Sequence, residues 1–74
     1  MIAVDTNLLV YAHRAGLAEH LPAQAAIERA ASASAGWCIP WPCLLEFWSV
    51  VTHPSCAGGP TTPRRAREFI ESLV

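Results

Sequence analysis

Two carboxylates stand in segments of this sequence that are otherwise without charge. Asp5 follows the apolar run of residues 2–4, and Glu46 is the only charged residue between Arg29 and Arg64. A carboxylate at the carboxyl end of a parallel strand lies where α/β folds bind ligands. Charged side chains are also seldom buried without a partner or a metal ion. From the residues alone, Asp5 could equally be a helix N-cap, and Glu46 could face solvent on the polar side of a helix.

Three cysteines and one histidine form a second set of candidate ligands. Cys38, Cys43, His53 and Cys56 follow the spacing C-x4-C-x9-H-x2-C, and these residue types bind zinc tetrahedrally. No C-x2-C pair is present, and the first two cysteines fall in a predicted strand and at a predicted helix start. Buried cysteines acting as small apolar side chains are therefore favoured, with a small zinc-stabilised domain as an alternative.

Three further groups of side chains have chemistry of their own. They are Arg64, Arg65 and Arg67; His13, His20 and His53; and Trp37, Trp41 and Trp48. The arginines could contact RNA phosphates, but a solvated helix face is favoured. The histidines lack the spacing of a shared site and are interpreted as surface or hydrogen-bonded residues. The tryptophans suit core filling better than base stacking.

The elements that must position these residues follow the order β-α-α-β-α-α. The predicted strands cover residues 2–4, as a fully buried strand, and 37–39. The predicted helices cover residues 8–14, 19–34, 43–53 and 63–74, the last one capped by Thr62. This order indicates an α/β domain with a parallel sheet. Two strands are too few to shield four apolar helices, so the domain is expected to be truncated or to borrow a partner.

Apolar spacing predicts which helix faces are buried. In the second helix the stripe consists of Ala23, Ile27 and Ala30. In the third helix it consists of Leu44, Trp48 and Val51, widened by Leu45 and Phe47. In the last helix it consists of Phe69, Ile70, Leu73 and Val74.

Composition excludes several classes of protein. The chain has 74 residues, of which 53% are hydrophobic and 15% charged, too apolar for a disordered tail. Its net charge of −1 disfavours nucleic-acid binding by electrostatics alone. The odd count of three cysteines and the absence of a signal peptide or an unbroken apolar span predict a soluble cytoplasmic protein without a membrane segment.

Two motifs together resemble a known family. The opening MIAVDTNLLVYA is similar to the start of PIN-domain ribonucleases, and IPWPCLLEFWSVVTHP is similar to the segment that carries the family's second acid. Within that family the likeness is to VapC-type toxins of bacterial toxin–antitoxin pairs, and it covers nearly the whole chain. The order of the motifs, with an Ala-rich helical segment between them, makes the resemblance fairly specific.

The resemblance implies a Mg²⁺- or Mn²⁺-dependent endoribonuclease. It assigns Asp5 and Glu46 to catalysis and to the metal, and it places Thr6 and Asn7 along the site, where they hydrogen-bond the carboxylate or the substrate. Hard divalent cations prefer such oxygen ligands. The implied partners are an RNA substrate, a cognate antitoxin and a second copy of the chain.

The chain departs from the family pattern in its acids. The family supplies further acids from its C-terminal half, whereas this chain offers only Glu68 and Glu71 after Glu46, both interpreted as solvated helix residues. Residues 1–74 are therefore expected to be the N-terminal part of a single PIN-like domain. The alternative is a catalytically inactive remnant that binds an antitoxin or a second copy of itself.

Overall fold

The fold is described by a computed structural model covering residues 1–73. The described residues form six elements in the predicted order, which confirms the predicted α/β class. They are β1 (Ile2–Ala3), α1 (Thr6–His13), α2 (His20–Ser32), β2 (Trp37–Cys38), α3 (Trp41–Thr52) and α4 (Pro63–Ser72). A small parallel sheet flanked by helices is compatible with a truncated PIN-like domain.

The two strands pair in parallel. Ile2 lies opposite Trp37, and Ala3 lies opposite Cys38. The pairing continues beyond β1, because the N–H of Val4 donates to the carbonyl of Cys38 at 3.0 Å. Parallel strands end at the same edge of a sheet, so the residues that follow β1 and β2 emerge on one side of the molecule.

The prediction of a fully buried first strand is wrong. Ile2 is 43% exposed and Ala3 is also exposed, while Val4, just beyond the strand, is 2% exposed. The described helices pack largely against one another, α1 against both α2 and α3. Because the helices pack mainly on one another and not on the sheet, the strand β1 stays exposed to solvent.

The helical hairpin of α1 and α2 follows the predicted apolar spacing. Ala23, Ile27 and Ala30 are all buried, which confirms the predicted stripe. α2 ends two residues before the predicted boundary, because the chain turns after Ser32 and reaches Gly36 with φ of +82°. Glycine adopts that conformation without the steric cost that a side chain brings.

α3 provides the largest part of the core. It begins at Trp41, two residues before the predicted start, because Pro42 is tolerated in the first turn. Phe47 and Val51 are fully buried. The expectation that Leu45 widens the apolar face is wrong, since Leu45 is 62% exposed. Two residues correspond to roughly 200° around a helix, which turns Leu45 away from Phe47.

α4 begins as predicted and closes the core from the other side. The Thr62 hydroxyl accepts a hydrogen bond from the N–H of Arg65 at 3.2 Å, and Pro63 is the first helical residue. Ala66 is fully buried. Phe69, Ile70 and Leu73 pack against the core as predicted, whereas Val74 lies outside the described residues. No helix within residues 1–73 is long and apolar enough to cross a membrane.

Candidate functional site

Asp5 lies at the junction of β1 and α1. It is exposed and has extended backbone geometry, and its Oδ1 accepts a hydrogen bond from the N–H of Leu8 at 2.9 Å. The interpretation of Asp5 as a helix N-cap is therefore confirmed. A cap uses one of the two carboxylate oxygens, and it holds the side chain at the carboxyl edge of the sheet. Capping and ligand binding are thus compatible at this residue.

The two residues after Asp5 differ in exposure. Thr6 is the first residue of α1 and is buried, with 8% of its surface exposed. Asn7 is exposed beside Asp5. Of the two, Asn7 therefore presents more of its surface to a solvent-borne ligand at this edge. Their roles along the site stay predictions.

Glu46 lies in the second turn of α3. It is exposed, as are Ser49 and Val50 on the neighbouring turn. Within residues 1–73 no hydrogen bond or ion pair holds its carboxylate. Solvent exposure means that Glu46 keeps its hydration and needs no buried partner. Its part in a metal site also stays a prediction.

The segments that carry Asp5 and Glu46 both leave the sheet at the same edge. Asp5 comes two residues after β1 ends, and α3 begins three residues after β2 ends, on the same edge of the parallel pair. α1 packs against α3. No group of three or more His, Cys, Asp or Glu side chains within residues 1–73 is placed to hold a metal ion. The donor set here is at most two carboxylates.

The later acids lie elsewhere. Glu68 pairs with Arg64 at 3.2 Å, and Glu71 lies 3.8 Å from Arg67, in exposed pairs one helical turn apart on α4. Both acids are solvated, as predicted. Such exposed pairs contribute little to stability. Neither acid forms a three-ligand group with Asp5 or Glu46.

The zinc alternative finds no support in the described residues. Cys38 lies in β2, and Cys43 lies on α3. His53 accepts a hydrogen bond at Nδ1 from the N–H of Ser55 at 3.0 Å, and the Cys56 thiol faces the Ala57 carbonyl at 3.8 Å. The four side chains do not converge on a common point. All three cysteines are half-buried free thiols, consistent with packing roles.

Sequence reasoning missed a cluster around His13, at the end of α1. The His13 ring stands edge-on to Phe47, with centroids 5.5 Å apart, and lies 4.8 Å from the ring of Phe69. Its Nε2 is 2.9 Å from the hydroxyl oxygen of Thr61. His13 is thus a packed, hydrogen-bonded residue, as the histidines were expected to be. Its partner lies 48 residues away, so no local pattern could identify it.

Arg14 fixes the loop between α3 and α4. Its guanidinium donates to the Thr61 hydroxyl at 3.2 Å and to the carbonyls of Ala57 and Gly59 at 2.5 and 2.8 Å. The N–H of Thr61 in turn donates to the carbonyl of Val51 at 2.6 Å. These bonds join the end of α1, the loop and α3 in one unit.

The surroundings of His13 favour its neutral form. Burial lowers the pKa of His13 below its ordinary value of 6.5, and the positive charges of Arg14, Arg65 and His20 lower the pKa further. An imidazolium here loses hydration and meets like charges. Of the other two histidines, His20 has its Nδ1 3.0 Å from the carbonyl oxygen of Tyr11, and His53 is exposed.

One tryptophan does not fill the core. Trp37 and Trp48 are half-buried and pack against it, as predicted. Trp41 is 72% exposed, so its predicted packing role is wrong. It is the first residue of α3, and most of its side chain lies in solvent.

The small parallel sheet flanked by helices, with an acid in the turn that follows β1, is compatible with a truncated PIN-like α/β fold. Comparison with known proteins finds relatives that are named ribonucleases. The chain is 38% identical over 74 residues to a VapC ribonuclease of Mycobacterium bovis and to ribonuclease VapC43 of Mycobacterium tuberculosis. Each alignment covers all of this chain and 50% of the relative. Ribonuclease VapC48 of Mycobacterium tuberculosis is 34% identical over 70 residues, which is 95% of this chain and 48% of that protein.

These alignments confirm the predicted resemblance. The chain is homologous to the VapC ribonucleases and spans about half the length of the curated relatives it matches. No protein-family model matches it.

Proposed function

We propose that this chain provides the first acids of a metal-dependent endoribonuclease of a toxin–antitoxin pair. Asp5 and Glu46 would hold Mg²⁺ or Mn²⁺, and RNA would be the substrate. The observation that carries the proposal is the position of Asp5, exposed at the carboxyl end of a parallel strand, in a chain homologous to proteins named ribonucleases. A cognate antitoxin is the proposed protein partner.

The donor set fits a hard divalent cation bound in a largely hydrated form. Mg²⁺ in phosphoryl chemistry commonly keeps several waters and takes one or two carboxylates plus substrate oxygens. The two exposed carboxylates of Asp5 and Glu46 would supply such a set if they share one cation, whereas a metal with a complete protein ligand set needs more donors. When bound, the cation would lower the pKa of a coordinated water and neutralise charge on the phosphodiester.

The residues of the chain orient this site. The Leu8 N–H donates to Asp5 Oδ1, and the second carboxylate oxygen of Asp5 would be the one left for a cation. Asn7 is exposed next to it and can donate to, or accept from, a substrate hydroxyl or phosphate. Phe47, the residue next to Glu46 on α3, is fully buried in the core, so the position of Glu46 depends on how α3 packs there.

RNA cleavage by the 74-residue chain tests this proposal. We expect cleavage with Mg²⁺ or Mn²⁺, none with EDTA, and loss of activity in Asp5→Asn and in Glu46→Gln. Glu28→Gln, an exposed acid on α2, is the matched control and should keep activity. Absence of cleavage by a folded chain with either metal would contradict the proposal for this chain and favour the non-catalytic alternative.

That alternative is a module that binds an antitoxin or a second copy, and one observation favours it. Large apolar side chains on α3 are exposed around Glu46: Trp41 by 72%, Leu45 by 62% and Val50 by 41%. Exposed apolar patches commonly mark protein-binding surfaces. Light scattering measures self-association: Leu45→Lys should shift a dimer to monomer, whereas the matched change Leu21→Lys on α2 should not. A wild-type chain that stays monomeric at all concentrations would exclude self-binding.

A further inference from the structure

A cavity of about 410 Å³ lies between the end of α1 and the beginning of α4. Its basic lining side chains are His13, Arg14 and Arg65. Among the described residues that line it there is no carboxylate. Two permanent positive charges without an acid at the same cavity create a positive potential, which favours an anion.

The first of these charges is held in place before any ligand arrives. Three hydrogen bonds to Thr61 and to the loop carbonyls of Ala57 and Gly59 fix the Arg14 guanidinium. The loop approaches so closely that a Cβ on Gly58 would lie 2.9 Å from Arg14 Nη2. A guanidinium has five N–H donors, so donors remain after these contacts.

The second charge is free of the ion pairs on its own helix. On α4, Arg64 and Arg67 pair with Glu68 and Glu71, whereas Arg65 has no acidic partner within residues 1–73 and lines the cavity. Both guanidiniums lower the pKa of His13, which supports the view that their fields overlap at this point. The repulsion between two positive charges that lie near one another is reduced when an anion binds between them.

We propose that this cavity binds a phosphate group, held by Arg14 and Arg65 and approached by the backbone of Gly58 and Gly59. Guanidinium groups match the geometry of phosphate oxygens. The cavity is distinct from the carboxylate edge, because α1, eight residues long, separates the two by about 12 Å. The phosphate can come from an RNA backbone, a source that rests on the proposed function, or from a free nucleotide or inorganic phosphate.

Amide NMR on the ¹⁵N-labelled 74-residue chain tests the proposal. Inorganic phosphate is titrated in EDTA at constant ionic strength, and the Gly58 and Gly59 amides are followed. We expect saturable shifts that Arg65→Gln weakens roughly tenfold, in line with the loss of a charge-assisted hydrogen bond. Arg67→Gln is the matched control, because it removes the same charge from the face paired with Glu71, and it should bind as the wild type does.

Two results would overturn the proposal. Chemical shifts that do not saturate, or phosphate binding that is weakened equally in both arginine variants, would mean that phosphate associates with the protein surface only non-specifically. Saturable shifts centred on residues other than Gly58 and Gly59 would place the anion outside the cavity. Because no metal is present, the result does not depend on RNA cleavage, so failure of this proposal and failure of the proposed function can be told apart.

A second titration distinguishes the sources of phosphate. A short single-stranded RNA that shifts the same amides, and competes with phosphate in the wild type but not in Arg65→Gln, supports a backbone phosphate. Binding of phosphate and a mononucleotide without binding of RNA supports a free ligand. Both results sustain the phosphate site, whereas binding of none of the three contradicts it.

Discussion

The N-cap at Asp5 gives a prediction that separates the structural role of this residue from its chemical role. Asp5→Ala removes the acceptor of the Leu8 N–H, and Asp5→Asn keeps an acceptor but removes the charge. An N-cap side chain is worth about 1 kcal/mol, and asparagine caps about as well as aspartate. α1 also carries the buried residues Leu9 and Ala12, so fraying of its first turn loosens the core.

We therefore expect Asp5→Ala to lower the free energy of unfolding by about 1 kcal/mol. For a chain of this size that corresponds to a fall in Tm of roughly 4–8 °C. Asp5→Asn should stay within about 0.5 kcal/mol of the wild type. Thermal and urea unfolding followed by far-UV circular dichroism measures both variants. Equal destabilisation by both would refute the reasoning, because the charge and not the capping bond would then hold the helix.

Three other changes have defined expected results. Phe47→Ala empties a fully buried site and should cost about 3–5 kcal/mol in chemical denaturation, enough to unfold a small chain; a loss below about 1 kcal/mol would contradict the packing described. Gly58→Ala strains a residue with φ of +83° and meets Arg14, so it should cost at least about 1 kcal/mol, and a neutral result would contradict the loop geometry. The pKa of His13 is lower in the folded chain than in the unfolded chain, so the unfolded chain binds the proton more readily as pH falls. The free energy of unfolding should therefore fall as pH drops below 6.5. His13→Gln should flatten that dependence, and a dependence that persists undiminished in this variant would contradict its assignment to His13.

Local patterns predicted much of the fold. The stripe of Ala23, Ile27 and Ala30 follows helical spacing, and each residue is buried because α2 has one side against α1. Thr62 begins α4 because its hydroxyl satisfies a free backbone N–H, an interaction contained within four residues. Such features depend on near neighbours in the sequence, so the sequence alone identifies them.

Features that depend on distant residues were not predictable in this way. The contact of His13 with Thr61 and the clamp of Arg14 on the loop join segments more than 40 residues apart. Leu45 is apolar like its neighbours, but its exposure depends on which side of α3 meets the core. At the candidate site, the sequence identified Asp5 as the residue after the first strand, and the structure added its capping bond.

The most direct test of a shared carboxylate site is paramagnetic broadening of amide NMR signals by substoichiometric Mn²⁺. If Asp5 and Glu46 hold one cation, the signals around both residues should lose intensity together, and Asp5→Asn should restore both sets. Broadening at Asp5 that spares Glu46, or broadening centred on Glu68 and Glu71, would contradict a metal site shared by the two acids.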